Sequence, residues 1–389
     1  MIVIAGETYS ANLGDGVIAD TMRFLFQKVA PGCHVVNLDI SGRAAYEKAT
    51  QFPLETSETK RFRLEESWQN LLKWHLVRQK RCLASWQPLL TDADILVIGG
   101  GQLLMDNALD FPLKINNLTQ LATRLGVQTH FSACGVGKHW SNIANRLFFE
   151  ALGTAKTITV RDRYSLQRLP EIFSSRAELM FDPAIWAADV YGCSSIDDKR
   201  EENLIGLGVI GLESIKKHNA EYTTEKLFGF WEQIVCRLKQ EKTPFEIFTN
   251  GSISDYAFAR ELADFVEKKW KIYCPLAERP ITPHQLACNI SRYQSVIAAR
   301  LHANILALAY AIPAVGLVWD DKVRSFYEDT DRPEFCFDID SVNPDTVINA
   351  VLQVARQGIK AEVVDLYKEK ALTAAKLIIE ASGWVNRSL

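Results

Sequence analysis

Arg300 and His302 follow directly on the apolar run Val296–Ala299, and the Ala- and Leu-rich stretch Ala303–Ala311 comes next. The run has the composition of a buried strand and the stretch that of a helix. Pro313 has no N–H to donate, so it ends that helix. Ala314–Val318 is a second apolar run, followed by Asp320, Asp321 and Lys322. Strand, helix, strand in this order is a unit of a parallel sheet buried on both faces. Ligands of such sheets sit at the carboxyl ends of strands. Arg300, His302 and Lys322 therefore fall at one mouth. A guanidinium pairs bidentately with phosphate or carboxylate. An imidazole transfers protons near neutrality without a large pKa shift. Together they suit an anionic substrate.

Other strand ends carry residues of the same kinds. Ile2–Ala5 is a strand, and the loop Gly6–Gly14 leads to Asp15 and a helix over about 16–29. Strand, small-residue loop and helix leave N–H groups at a helix start, where anions bind. Asn12 or Asp15 can equally serve as a simple helix cap. Asp94–Ile98 is a strong strand ending in Gly99-Gly100-Gly101, which permits a tight turn and close backbone approach to a ligand. It is not the dinucleotide fingerprint. Ala133–Lys138 also fails as a phosphate-binding loop, because Ser132 stands for its first glycine and His139 for its Ser or Thr. Ile158–Val160 is a strand with Arg161, Asp162 and Arg163 at its end. The bland reading of Arg161-Asp162 is a local ion pair plus a helix cap, and Asp320–Lys322 can be a solvated turn.

Further elements complete an α/β pattern. A basic, tryptophan-containing amphipathic helix covers about 60–86, with Trp68, Leu72 and Leu76 at helical spacing. It reads first as a crossover packed on the sheet with a solvated basic face; peripheral membrane contact is the alternative. The polar text Tyr191–Asn203 is the best linker. After it the pattern restarts, with strands at Leu204–Val209, Phe245–Thr249 and Ile272–Cys274, and helices near 344–356 and 360–382. The expected organisation is two Rossmann-type parallel-sheet domains facing a cleft. Residues 1–190 form the first and 204–345 the second, and the C-terminal helices of 346–389 pack back on the first.

The chain has 389 residues, 48% of them hydrophobic, and a formal net charge of −3. This is enough for two cores, and no global field attracts nucleic acid. Eight cysteines are scattered without C-x-x-C or a Cys/His cluster of zinc-like spacing. A reduced, cytoplasmic setting and no metal are therefore expected. His130, His139 and His284 have no constellation around them. The start lacks signal-peptide character and no run is long enough to span a bilayer, so any membrane contact is expected to be peripheral, at the inner face.

Five separated blocks share a resemblance. They are Asn12-x-Gly14-Asp15, Gly99-Gly100-Gly101 with Asp106, Val160-Arg161-Asp162-x-x-Ser165, Asp182-Pro183-Ala184, and Arg300-Leu301-His302 with Pro313 and Asp321-Lys322. Their order and spacing resemble the polysaccharide pyruvyl transferase family over nearly the whole chain. Ala11 departs from the pattern, where glycine is more usual. The resemblance implies a GT-B-like fold, phosphoenolpyruvate as donor substrate without a further cofactor, and a sugar of a polysaccharide, glycan or lipid-linked precursor as acceptor. On that reading His302 and Arg300 are catalytic. Arg161, Arg163, Arg300 and Lys322 bind the donor, and Asn12, Asp15, Gly99, Gly100 and Gly101 form the acceptor side. The rivals are a nucleotide-sugar glycosyltransferase of the same fold and a non-catalytic scaffold of glycan assembly.

Overall fold

The computed structural model describes residues 1–46, 63–193, 203–216, 219 and 221–384. Eleven short strands, nearly all buried, build two parallel sheets. The first is made of β1 (Ile2–Gly6), β2 (Val35–Asp39), β3 (Ile95–Gly99), β4 (Gln128–Cys134), β5 (Ala155–Val160) and β6 (Ala177–Leu179), in the order β2-β1-β3-β4-β5-β6. The second contains β7 (Ile205–Gly208), β8 (Phe245–Phe248), β9 (Ser295–Ala298), β10 (Ala314–Val318) and β11 (Cys336–Asp338), in the order β11-β10-β9-β7-β8. Both sheets reverse their strand order next to their first strand. The crevices lie between β1 and β3 in one sheet and between β7 and β9 in the other, and such switch points are where open parallel sheets hold ligands. Gly99–Gly101 leaves the first crevice, and Arg300–His302 leaves the second.

The two halves touch through backbone as well as side chains. The helix Leu13–Val29 begins at the first crevice, and its Leu13 N–H donates to the Asn250 carbonyl beyond β8 at 3.0 Å. The C-terminal helix Ala361–Ser382 packs on β4 and β5, as expected, but the helix Pro344–Gln357 stays on β9 and β10 of the second half, so only part of 346–389 returns to the first. There Trp186 Nε1 donates to the Lys368 carbonyl at 2.9 Å, and the rings of Phe181 and Tyr367 lie 4.5 Å apart. Among the described residues no helix is long and apolar enough to cross a membrane.

Local details differ from the sequence expectation for identifiable reasons. The stretch Ile272–Cys274 is not a strand. The chain meets β8 one step later, where Ile247 donates to the Pro275 carbonyl and Ala277 donates to Ile247, because Pro275 has no N–H for a continuous ladder. The helix after β9 starts at Leu301 rather than Ala303, so His302 is helical. The 60–86 helix runs Arg63–Lys73, then a π-turn at Trp74–Arg78, then Gln79–Thr91; its start at 60–62 lies outside the described residues. The π-turn adds one residue to a turn and so rotates the buried stripe. Trp74 and Trp86 both end up buried as a result, with ring centroids 6.3 Å apart. Most of the linker Tyr191–Asn203, at 194–202, also lies outside the described residues.

Candidate active site

The His302 ring lies against the first turn of the helix Leu13–Val29. A Cβ added to Gly14 would fall 2.3 Å from both Cγ and Nδ1 of the imidazole. His302 is 6% exposed, and its Nε2 is buried without a hydrogen-bond partner among the described residues. The nearest charge is Asp182 Oδ2, at 3.8 Å from Nε2: an ion-pair separation, too long for a hydrogen bond. Asp182 comes from the Asp-Pro-Ala block of the other half. It also accepts from Arg161 Nη1 at 3.2 Å and from the Ala184 N–H at 3.0 Å. Burial alone would raise the Asp182 carboxyl, but His302, Arg161 and the Ala184 amide outweigh it, and the net shift is downward. Asp182 is therefore a fixed negative charge beside the imidazole.

Asp15, next to Gly14 and half-buried in the first turn of the helix, is a second carboxyl that feels His302. Its carboxyl is pushed up, chiefly by burial, although His302 pulls it down. Two carboxyls with opposite shifts thus act on one imidazole, and such an arrangement separates acid and base roles. Asn12 occupies the N-cap position without making a side-chain cap. Its Nδ2 is 3.4 Å from Asp15 Oδ2, and its Oδ1 is buried and unpartnered among the described residues. Capping is therefore not what Asn12 does.

A cavity of about 150 Å³ opens beside this cluster, lined by Glu7, Asn12, Asp15, Gly99, Gly100 and Lys322 among others. Gly100 and Gly101 have φ of +69° and +76°, which suits glycine, and a Cβ on Gly100 would strike Ile18 at 1.8 Å. The Gly100 N–H is committed to the Ser132 carbonyl at 2.9 Å, so that amide is not available to a ligand. Lys322 pairs with Asp320 at 2.9 Å, and its Nζ lies 4.8 Å from the Trp319 ring centroid.

The remaining cations are placed differently from the expectation of one shared mouth. Arg300 turns back into its own half. Nε and Nη2 form a fork on Asp255 at 2.9 and 2.8 Å, and Nη2 also donates to Ser214 Oγ at 3.0 Å. Asp255 is fully buried and takes the Gly211 N–H as well. Arg161 is buried between Asp162 and Asp182, whose carboxylates hold it charged against the opposing effect of burial. Asp162 also accepts from the Ser165 N–H at 2.7 Å, so it is both an ion-pair partner and a helix cap. Arg163 is largely exposed and pairs with Asp329 at 3.0 Å. His130 is structural: buried, bonded through Nδ1 to Thr157 at 2.9 Å, and pushed down to about 4 by burial.

Two features escaped the sequence reading. Asp255 carries no local signal, lying inside an ordinary amphipathic helix, Ile253–Trp270. The cysteines are the larger correction. Cys193 and Cys288, 95 residues apart, are joined as a disulfide, and His284 lies beside them. Spacing rules search within a segment, and this cluster is made by two segments.

The sequence model of polysaccharide pyruvyl transferase matches residues 12–321. The chain belongs to that family. No curated protein matches it. This pyruvyl transferase family member is similar in structure to Methanocaldococcus jannaschii UDP-GlcNAc 2-epimerase in complex with UDP-GlcNAc and UDP. That likeness has 9% identity over 98% of this chain and 99% of that one, with a TM-score of 0.56. It is also similar to the S. aureus MnaA–UDP co-structure, with 10% identity over 100% and 97% and a TM-score of 0.53. The glycotransferase of kitacinnamycin matches at 11% identity over 100% and 98%, with a TM-score of 0.51. At these identities the likeness is one of fold, and the fold is GT-B-like.

Proposed function

We propose that this transferase moves the pyruvyl group of phosphoenolpyruvate onto two hydroxyls of a sugar, with His302 handling the protons. The observation that carries this reading is the buried imidazole with an unpartnered Nε2, set between Gly14 and the Asp182 carboxylate. The reaction needs a proton on the donor's methylene carbon, which becomes a methyl group. The first sugar hydroxyl bonds to the adjacent carbon and gives up its proton as the bond to phosphate breaks. The second hydroxyl closes the ketal, and its proton leaves with the products. Donor, diol, ketal and phosphate balance without an added oxidant or reductant. His302 delivers the first proton, Asp182 balances the imidazolium, and Asp15, with its raised carboxyl, accepts from the hydroxyl. Lys322, in the wall of the cavity that Asp15 also lines, faces the donor's negative groups. Arg161 holds Asp182 ionised beside the imidazole.

The acceptor side is served by the helices Arg63–Lys73 and Gln79–Thr91. A polar groove of about 380 Å³ lies between them and the helix Asp110–Leu125, with Glu66, Asn70, Arg78, Arg81, Asp110 and Lys114 in its walls. On the opposite face Trp68, Leu72, Leu76 and Val77 are 61%, 59%, 71% and 67% exposed, and Lys73 and Lys80 are exposed with them. An apolar ridge edged by cations fits an anionic bilayer surface, where a lipid-linked acceptor would be found.

The test is phosphate release from phosphoenolpyruvate in the presence of glycan acceptors from the host envelope, with calorimetry of phosphoenolpyruvate against UDP-sugars. Binding of a UDP-sugar and not of phosphoenolpyruvate would replace this reading by glycosyl transfer. Binding of neither, with no turnover, would leave a scaffold.

A further inference from the structure

His284 and Cys288 are one helical turn apart on the helix Pro283–Ser291, so their side chains share a face. The ring nitrogens of His284 lie 3.6 and 3.8 Å from Cys288 Sγ. Cys193 arrives from the end of the first half, and the ligand atoms of all three residues lie within 4.8 Å of one another. His284 is exposed, so the cluster is open to solvent. The Tyr191 ring packs edge-on against the imidazole at 5.9 Å, and the Tyr191 hydroxyl donates to Asp20 at 2.8 Å, which holds the chain next to Cys193 in place.

We propose that Cys193, His284 and Cys288 form a binding site for a zinc-class divalent cation when the two cysteines are reduced. Two thiolates and an imidazole are a borderline-soft donor set, which suits zinc rather than magnesium or calcium. Three protein ligands leave the fourth tetrahedral position to water. The disulfide is the oxidised alternative of the same cluster. A dithiol reductant opens it, taking the disulfide's place as the oxidised species, and each cysteine proton leaves as the metal binds. The cluster is separate from the His302 site but mechanically close to it. Pro283, at the start of the cysteine-bearing helix, packs on Gly16 of the helix that carries Asp15. Metal or disulfide therefore fastens the crossing between the halves to the helix that supports the active site.

The experiment uses the full chain in two states, reduced and then freed of reductant under argon, or oxidised. Each is dialysed against zinc and titrated with cobalt(II) as a spectroscopic probe. The reduced protein is expected to hold about one zinc per chain, as one site requires, and its cobalt form to show thiolate-to-metal charge transfer. The oxidised protein is expected to show neither. Cys193→Ser should abolish the charge-transfer band or halve it. His284→Ala should weaken zinc binding by at least the roughly 10–100-fold that even an outer-shell partner is worth. The proposal is overturned if the reduced protein takes up no more zinc than the oxidised one, or if Cys193→Ser leaves uptake undiminished, which would assign the metal to other cysteines.

Discussion

The imidazole of His302 occupies the space where a side chain on Gly14 would be, with a Cβ there 2.3 Å from the ring. The two residues belong to different halves, so this contact aligns the start of the first helix with His302 of the second. Gly14→Ala is expected to push the ring out of register. Overpacking of this kind costs about 1–3 kcal/mol in stability. A displacement near 1 Å costs roughly 100-fold in rate. Phosphate release and a thermal melt measure both, and a Gly14→Ala enzyme with the parent rate would remove the contact from the mechanism.

His302→Gln tests the proton role directly. Phosphoenolpyruvate binding by calorimetry is expected to stay nearly intact. Turnover should fall by roughly 10²–10⁴-fold, the usual worth of general acid–base catalysis. Parent turnover in a folded His302→Gln protein would falsify the assignment.

Arg300→Lys separates structure from donor binding. The fork on buried Asp255 is lost while the charge remains. A hydrogen bond to a charged group is worth about 1.5–3 kcal/mol, and this loss should appear as a lower urea midpoint. Donor affinity should change little, because the fork already has its carboxylate. A large fall in phosphoenolpyruvate affinity with an unchanged midpoint would return Arg300 to the donor site.

Asp15 gives a pH prediction with a definite sign. Its folded carboxyl is raised, chiefly by burial. A raised carboxyl contributes stability that is fully present below the unfolded value of about 3.9 and is lost as pH rises through the folded value. Asp15→Asn should therefore match the parent near pH 4 and exceed it in thermal midpoint at pH 7–8, while losing turnover. Asp182 has the opposite sign, since its folded carboxyl is depressed. Its contribution is present above the unfolded value and is lost as pH falls through the folded one. Equal melting curves for Asp15→Asn and the parent across this range would remove the burial cost from Asp15.

The exposed ridge can be tested without touching the active site. Leu72→Ser/Leu76→Ser is expected to reduce co-sedimentation with phosphatidylglycerol-containing vesicles by about tenfold or more. Each removed leucine forfeits part of the roughly 1.5–3 kcal/mol that full burial is worth. Turnover on a soluble acceptor should be unchanged. Association equal to the parent's, or no association by either protein, would refute the bilayer contact.

Much of the architecture follows from short-range rules. An apolar run such as Val296–Ala298 becomes a buried strand, Gly100 and Gly101 take the positive φ of the turn after β3, and the helix Leu301–Ala309 is over before Pro313. Each effect acts within a few residues, so most of the order of strands, turns and helices was legible, and with it two parallel-sheet halves; the GT-B-like fold came from the resemblance of the blocks around Asn12, Gly99, Arg161, Asp182 and His302 to a family. Partners were not legible at this range. That Arg300 forks on Asp255, that Asp182 stands between Arg161 and His302, and that Gly14 seats the imidazole all depend on how the chain packs in three dimensions. The cysteines show the same limit: Cys193 and Cys288 have no local pattern, and only docking brings them together beside His284. Sequence patterns report what a residue does to its own backbone and neighbours. Charge pairing and burial are set by atoms that arrive from elsewhere in the chain, and only the tertiary structure decides which ones arrive.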